Sequence, residues 1–112
     1  MADKKAFYQS QARVIKALAH PTRLLLVNAL SARPVCVCEL TEAAGCDIST
    51  VSLHLNVMRA AGLVQSQKKA NKVFYSLCCP CILDFLGCVT RVVKTSARNQ
   101  SAALSGGRRS CV

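Results

Sequence analysis

Eight cysteines stand in a chain of 112 residues, and they are unevenly spaced. Cys36 and Cys38 flank Val37, three more fall in the run Cys78-Cys79-Pro80-Cys81, and Cys46, Cys88 and Cys111 stand apart. A thiolate is a soft ligand, so grouped thiols select soft centres over oxygen-seeking ions: trivalent arsenic or antimony, cadmium or lead. Two neighbouring thiols can instead oxidise to a disulfide or polysulfide bridge. The start MADKKAFYQSQ lacks the apolar centre of a secretory signal, so the expected compartment is the cytoplasm, where thiols stay reduced. A disulfide framework is thereby set aside. Ligation or redox sensing is expected of Cys36, Cys38, Cys78, Cys79 and Cys81, the last two favoured as thiolates by a helix N-terminus. Cys46 and Cys88 read as packing residues, because a free thiol also behaves as a small hydrophobe.

No catalytic set accompanies these thiols. The only histidines are His20 and His54, no CxxC follows a βαβ pattern, and no Ser/His/Asp or Cys/His arrangement is spaced for nucleophilic work. The expectation is a protein that is not an enzyme and carries no organic cofactor. Fifteen Lys and Arg against five Asp and Glu give a formal charge of +10, which points to a polyanionic partner. With 4% aromatic residues and no Trp, stacking on unpaired bases is disfavoured and duplex DNA is expected. No stretch reaches the roughly 20 consecutive apolar residues of a spanning helix, so no membrane partner is expected.

Several elements must position these groups. Phe7, Val14, Ile15 and Leu18 recur at helical spacing until Ala19-His20-Pro21 interrupts them, and Pro21 suits the first turn of a second helix through Leu30. After the turn residues Ser31 to Pro34, Val37 to Ala44 reads as a third helix stopped by Gly45, and Ser49 to Ala61 as a fourth. Leu63 to Gln67 and Val73 to Leu77 have β character around the basic stretch Lys68 to Lys72. Ile82, Leu83, Phe85, Leu86, Val89, Val92 and Val93 mark a last helix whose broad apolar face suits a partner subunit. The expected class is mainly α with a small β-hairpin: a dimeric winged helix-turn-helix, with the N- and C-terminal helices in the dimer interface. Residues 1–97 would form the DNA-binding and dimerisation domain and 98–112 a flexible basic tail.

In such a fold one helix enters the major groove while the charged hairpin reaches the neighbouring backbone or minor groove. Candidates for DNA contact are Ser49, Thr50, Ser52 and His54 on the fourth helix and Lys68, Lys69 and Lys72 on the hairpin. Ser49 suits a helix cap equally well, His54 suits a half-buried structural role, and the lysines suit a solvated tip.

The run ALAHPTRLLLVNALS followed by VCVCELTEAAGCDISTVSLHLNVMRAAGLVQSQKKANKVFYSL resembles the ArsR/SmtB family of bacterial metal-responsive repressors across Ile15 to Leu77. The blocks AHPTR, CVCEL, STVS-HL and R-AGLV stand in the family's order and spacing. The resemblance implies a homodimeric repressor that occupies its promoter when ligand-free and leaves when ligand binds. It places Cys36 and Cys38 in the block that carries an arsenic site, making arsenite or antimonite the expected inducer. Thr41 stands where the family pattern has a third cysteine. The third ligand would then come from Cys78, Cys79 or Cys81, unless those three form a site of their own. Ile48 and Leu53 replace a Gln and a basic residue common in the family, which bears on the operator sequence. Zinc and nickel sensors of the family use His on the last helix, where this chain has Asp84 and no His. A redox- or persulfide-sensing repressor, or one answering cadmium or lead, remain the alternatives.

Overall fold

The computed structural model describes the fold of residues 2–104 and the side chains of residues 3–99. It divides into two compact units, the first ending at Pro80 and the second beginning at Cys81. The first unit contains α1 (Ala2–Leu18), α2 (Pro21–Ala29), β1 (Val35–Cys36), α3 (Val37–Ala44), α4 (Ile48–Ala60), β2 (Val64–Lys69) and β3 (Lys72–Leu77). The second is the helix α5 (Ile82–Leu104). That helix runs past Ala97 to Leu104, so residues 98–104 of the expected tail are helical; residues 105–112 lie outside the described residues.

The break between α1 and α2 is built by three residues. His20 is extended and its Nδ1 accepts from the Thr22 amide at 3.0 Å, while Pro21, which has no N–H to satisfy, occupies the first helical position. The other sharp turn follows α3, where Gly45 at φ 69° lets its amide donate to the Thr41 carbonyl at 3.1 Å. Three residues after Gly45, α4 begins at Ile48, with Asp47 at the cap position and no side-chain cap hydrogen bond.

Leu26 and Val27 of α2, Leu40 of α3, and Val51, Leu55 and Met58 of α4 are wholly buried together with Val64 of β2. Each helix thus contributes one apolar stripe to a shared core, and α1 packs on α2 and α4. The hairpin lysines are themselves strand residues: only Ala70 (φ 50°) and Asn71 (φ 69°) form the turn, and Lys69 pairs with Lys72. Two positive φ values in a two-residue loop match the twist of the flanking strands. β3 also pairs on its other edge with β1, Cys36 lying opposite Phe74, so the sheet order is β1-β3-β2. The two-residue β1 was not expected, since so short a piece carries no alternation of its own.

Candidate nucleic-acid interface

The helices α3 and α4, the turn between them and the hairpin of β2 and β3 form one assembly, with α4 packed on both α3 and β2. A helix advances 100° per residue, and Val51, His54, Leu55 and Met58 are the buried positions of α4. The side away from them presents Ser49, Ser52, Leu53 and Asn56, with Ser52 half-buried and the rest exposed, while Ile48 and Arg59, also exposed, border the buried stripe at the two ends of the helix. Of the expected contact residues, Ser49 and Ser52 lie on this outer side. Asp47, not Ser49, occupies the cap position, which leaves Ser49 in the first turn.

Thr50 and His54 are otherwise engaged. The Thr50 hydroxyl donates to the Asp47 carboxylate, which draws the Asp47 pKa below the usual carboxylate value; slight desolvation opposes this. His54, expected at a base edge, is only 8% exposed and its Nδ1 accepts from Arg23 Nε at 3.0 Å. Arg23 also donates to the Ala17 carbonyl at 3.3 Å, and the His20 ring lies 4.4 Å from the His54 ring. Burial lowers the His54 pKa, followed by the charges of His20 and Arg23. His54 is a strut joining α4 to α2 and α1, and this corrects its assignment as a DNA contact. The signal was available in the sequence, because residue 54 stands three after Val51 and four before Met58, on the core stripe.

Lys68, Lys69 and Lys72 are all exposed at the hairpin end. Side chains alternate across a strand, so Lys69 and its cross-strand partner Lys72 share one face while Lys68, opposite Val73, projects from the other. The face of Lys68 continues into Ser66 and buried Val64; that of Lys69 continues into exposed Gln67 and Gln65. At the base of the hairpin Arg59 of α4 donates to Ser66 Oγ at 3.3 Å and to Asn56 Oδ1 at 3.2 Å, fixing the hairpin to the outer side of α4. Asn56, Arg59, Ile48 and Leu53 were not among the expected contact residues.

The thiols fall in different places. Cys36 is the last residue of β1 and the cap position of α3; it is 6% exposed and its thiol points to the Glu39 carboxylate at 3.9 Å. The same carboxylate holds Arg33 at 3.1 Å. Cys38, in the first turn of α3, is exposed. Cys78 and Cys79 follow β3, are exposed, and belong to the first unit, the Cys78 amide donating to the Leu63 carbonyl at 2.9 Å. Cys81 and Cys88 are exposed in the second unit, and the Cys81 carbonyl accepts from the Asp84 amide at the start of α5. Cys46 is half-buried, its thiol directed at the Ala44 carbonyl.

Because Cys36 lies opposite Phe74, Cys78 stands four residues further on, one past the end of β3, about 13 Å away at roughly 3.3 Å per residue. Thiolates bind a metal at about 2.3 Å, so Cys36 and Cys78 of one chain do not share an ion. Among the described residues no three His, Cys, Asp or Glu side chains are grouped to hold a metal ion. No described helix is long and apolar enough to cross a membrane.

Comparisons with known proteins agree with this architecture. The model of bacterial regulatory proteins of the arsR family matches residues 20–66, from the cap of α2 into β2. The HTH-type transcriptional regulator YgaV of Escherichia coli is 38% identical over 78 residues, 69% of this chain and 79% of that protein. A Synechocystis protein described as a transcriptional repressor SmtB homolog is 39% identical over 69 residues, 62% of this chain and 52% of its own. The homodimeric winged helix-turn-helix DNA-binding domain of Mycobacterium bovis Mb0332 superposes with a TM-score of 0.73 at 26% identity, covering 81% of this chain and 84% of that one.

Proposed function

Since the chain belongs to the ArsR family of bacterial regulatory proteins, we propose that it is a homodimeric repressor of transcription that releases its operator when arsenite or antimonite joins Cys36 to Cys38. The outer side of α4 would enter the major groove and the lysines at the hairpin end would meet phosphate. Dimerisation is supported by the homodimeric Mb0332 domain and by the apolar stripe of α5, where Phe85, Val89, Val92 and Val93 recur at helical spacing and are exposed in the single chain. Repression is supported by the SmtB homolog.

The observation that carries the inducer reading is the position of Cys36. Its backbone is paired to the hairpin strand β3, and it caps α3, which packs against α4. Its thiol is also buried, so a ligand joining it to exposed Cys38 favours a state in which this junction has opened. In that step two As–S bonds replace two As–OH bonds, two waters leave, and the third hydroxyl stays on arsenic. Two thiols then suffice, in keeping with Thr41 at the position of a third cysteine. A coupling of about 1 to 3 kcal/mol would lower operator affinity roughly 5- to 150-fold.

The second reading is oxidation of two thiols, which would produce the same release without a metal. It is favoured by the exposure of Cys38, Cys78, Cys79 and Cys81, which leaves these thiols open to an oxidant. Fluorescence-anisotropy titration of the reduced protein on its own promoter DNA, with and without arsenite, separates the two. The expected result is arsenite-dependent release that is lost in Cys36→Ser/Cys38→Ser and kept in Cys78→Ser/Cys79→Ser/Cys81→Ser. The reverse pattern moves the inducer site to the second group of cysteines. Unchanged binding of reduced wild-type protein in excess arsenite sinks the arsenic reading and leaves oxidants, cadmium and lead to be compared.

A further inference from the structure

Helix α4 exposes two large apolar side chains that neither the core nor the proposed thiol switch uses. Ile48 is 54% exposed and Leu53 63% exposed. At 100° per residue they stand about 140° apart around the helix, with Ser52, Asn56 and Ser49 in the sector between them. The surface is thus a strip of hydroxyl and amide groups with an aliphatic side chain at each edge. No acidic residue lies within α4, and its one cation is Arg59 near the C-terminal end. Phosphate would be met by cations or amides, which leaves both aliphatic edges without a task at the DNA backbone. On base edges in the major groove, the apolar group is the C5 methyl of thymine.

We propose that Ile48 and Leu53 read thymine methyls, so that each operator half-site carries A·T pairs at the two positions facing the edges of α4. The inference rests on the operator-binding reading above and adds to it what that operator contains. The polar strip supplies hydrogen bonds to bases between those positions, with Ser49 and Ser52 able to serve several base types and the Asn56 NH2 able to donate to a base acceptor. Arg59 donates to Asn56 Oδ1 at 3.2 Å, so the NH2 end of the amide is the one that would donate to a base. The charge of +10 and the lysines at the hairpin end provide the sequence-independent attraction on which this readout is superimposed.

The test begins with the full-length reduced protein and a randomised duplex library, from which the preferred half-site is selected. Selected thymines are then replaced one at a time by deoxyuridine, which lacks only the methyl group, and affinity is measured by anisotropy. Two positions should each lose about fourfold in affinity, the equivalent of about 0.8 kcal/mol for one buried carbon. Ile48→Ala should bind dT and dU duplexes equally at one of these positions, and Leu53→Ala at the other. Thermal melting of both variants should match wild type, because neither side chain belongs to the core. Equal affinity of wild-type protein for dT and dU at every selected position overturns the proposal, as do G·C pairs at the positions whose preference the two variants alter. A change of oligomeric state in either variant, with dU sensitivity retained, shows that these side chains cover a protein contact and likewise overturns it. Enrichment of no sequence at all removes the operator-binding reading itself, a failure distinct from the others.

Discussion

Replacing Lys68, Lys69 and Lys72 together by Ala should flatten the dependence of operator affinity on salt. All three are exposed strand residues flanking a two-residue turn, so their loss disturbs no core packing. Each phosphate neutralised on duplex DNA contributes about 0.9 to the slope of log K against log salt. Three contacts per hairpin give about 2.7, and two hairpins in a dimer about 5.4. Between 50 and 200 mM salt wild-type protein should therefore lose roughly a thousandfold more affinity than the triple variant. The alternation of strand side chains divides this effect. Lys69→Ala/Lys72→Ala, which clears one face, should remove about two thirds of the change and Lys68→Ala about one third. Anisotropy titrations at four salt concentrations in that range supply the slopes. A triple variant with the slope of wild type refutes the argument and makes the lysines a solvated tip that keeps the hairpin soluble.

Two further outcomes concern the strut beneath α4. Arg23→Met leaves the His54 Nδ1 and the Ala17 carbonyl without their partner and should lower stability by about 1 to 3 kcal/mol in urea unfolding; an unchanged midpoint would show that the contact contributes nothing. The lowered His54 pKa means that the unfolded chain takes up this proton first on acidification. Its contribution to stability is full above the ordinary value near 6.5 and is lost as pH falls from there through the folded pKa. Melting temperature should accordingly fall below pH 6.5 in wild type and less steeply in His54→Asn; parallel profiles would assign the fall to other groups.

Much of the DNA-binding unit was legible because its signals are local. Gly45 stops α3 wherever the chain goes next, the spacing of Val51, Leu55 and Met58 marks a helix, and the lysines mark a hairpin end. The limits of elements were less so: α4 begins one residue earlier than expected, and α5 runs to Leu104 although the polar composition after Ala97 suggested a tail. His54 was misassigned because its residue type was weighed ahead of its phase on the helix. Ile48 and Leu53 were read as departures from a family pattern, and their exposure is what turns them into a candidate reading surface.

By itself the sequence determined the quantities that depend on composition and short spacing: the net charge, the helical periods, the turn positions and the presence of thiols in two groups. Tertiary structure decided what those residues meet. The bond between Arg23 and His54 joins positions 31 apart, and β1 exists because β3 offers a second edge to Val35 and Cys36. That pairing sets Cys36 apart from Cys78, which follows the far end of β3, and ties the Cys36 backbone to the hairpin. Such relations depend on packing between distant segments, and no local pattern along the chain encodes them.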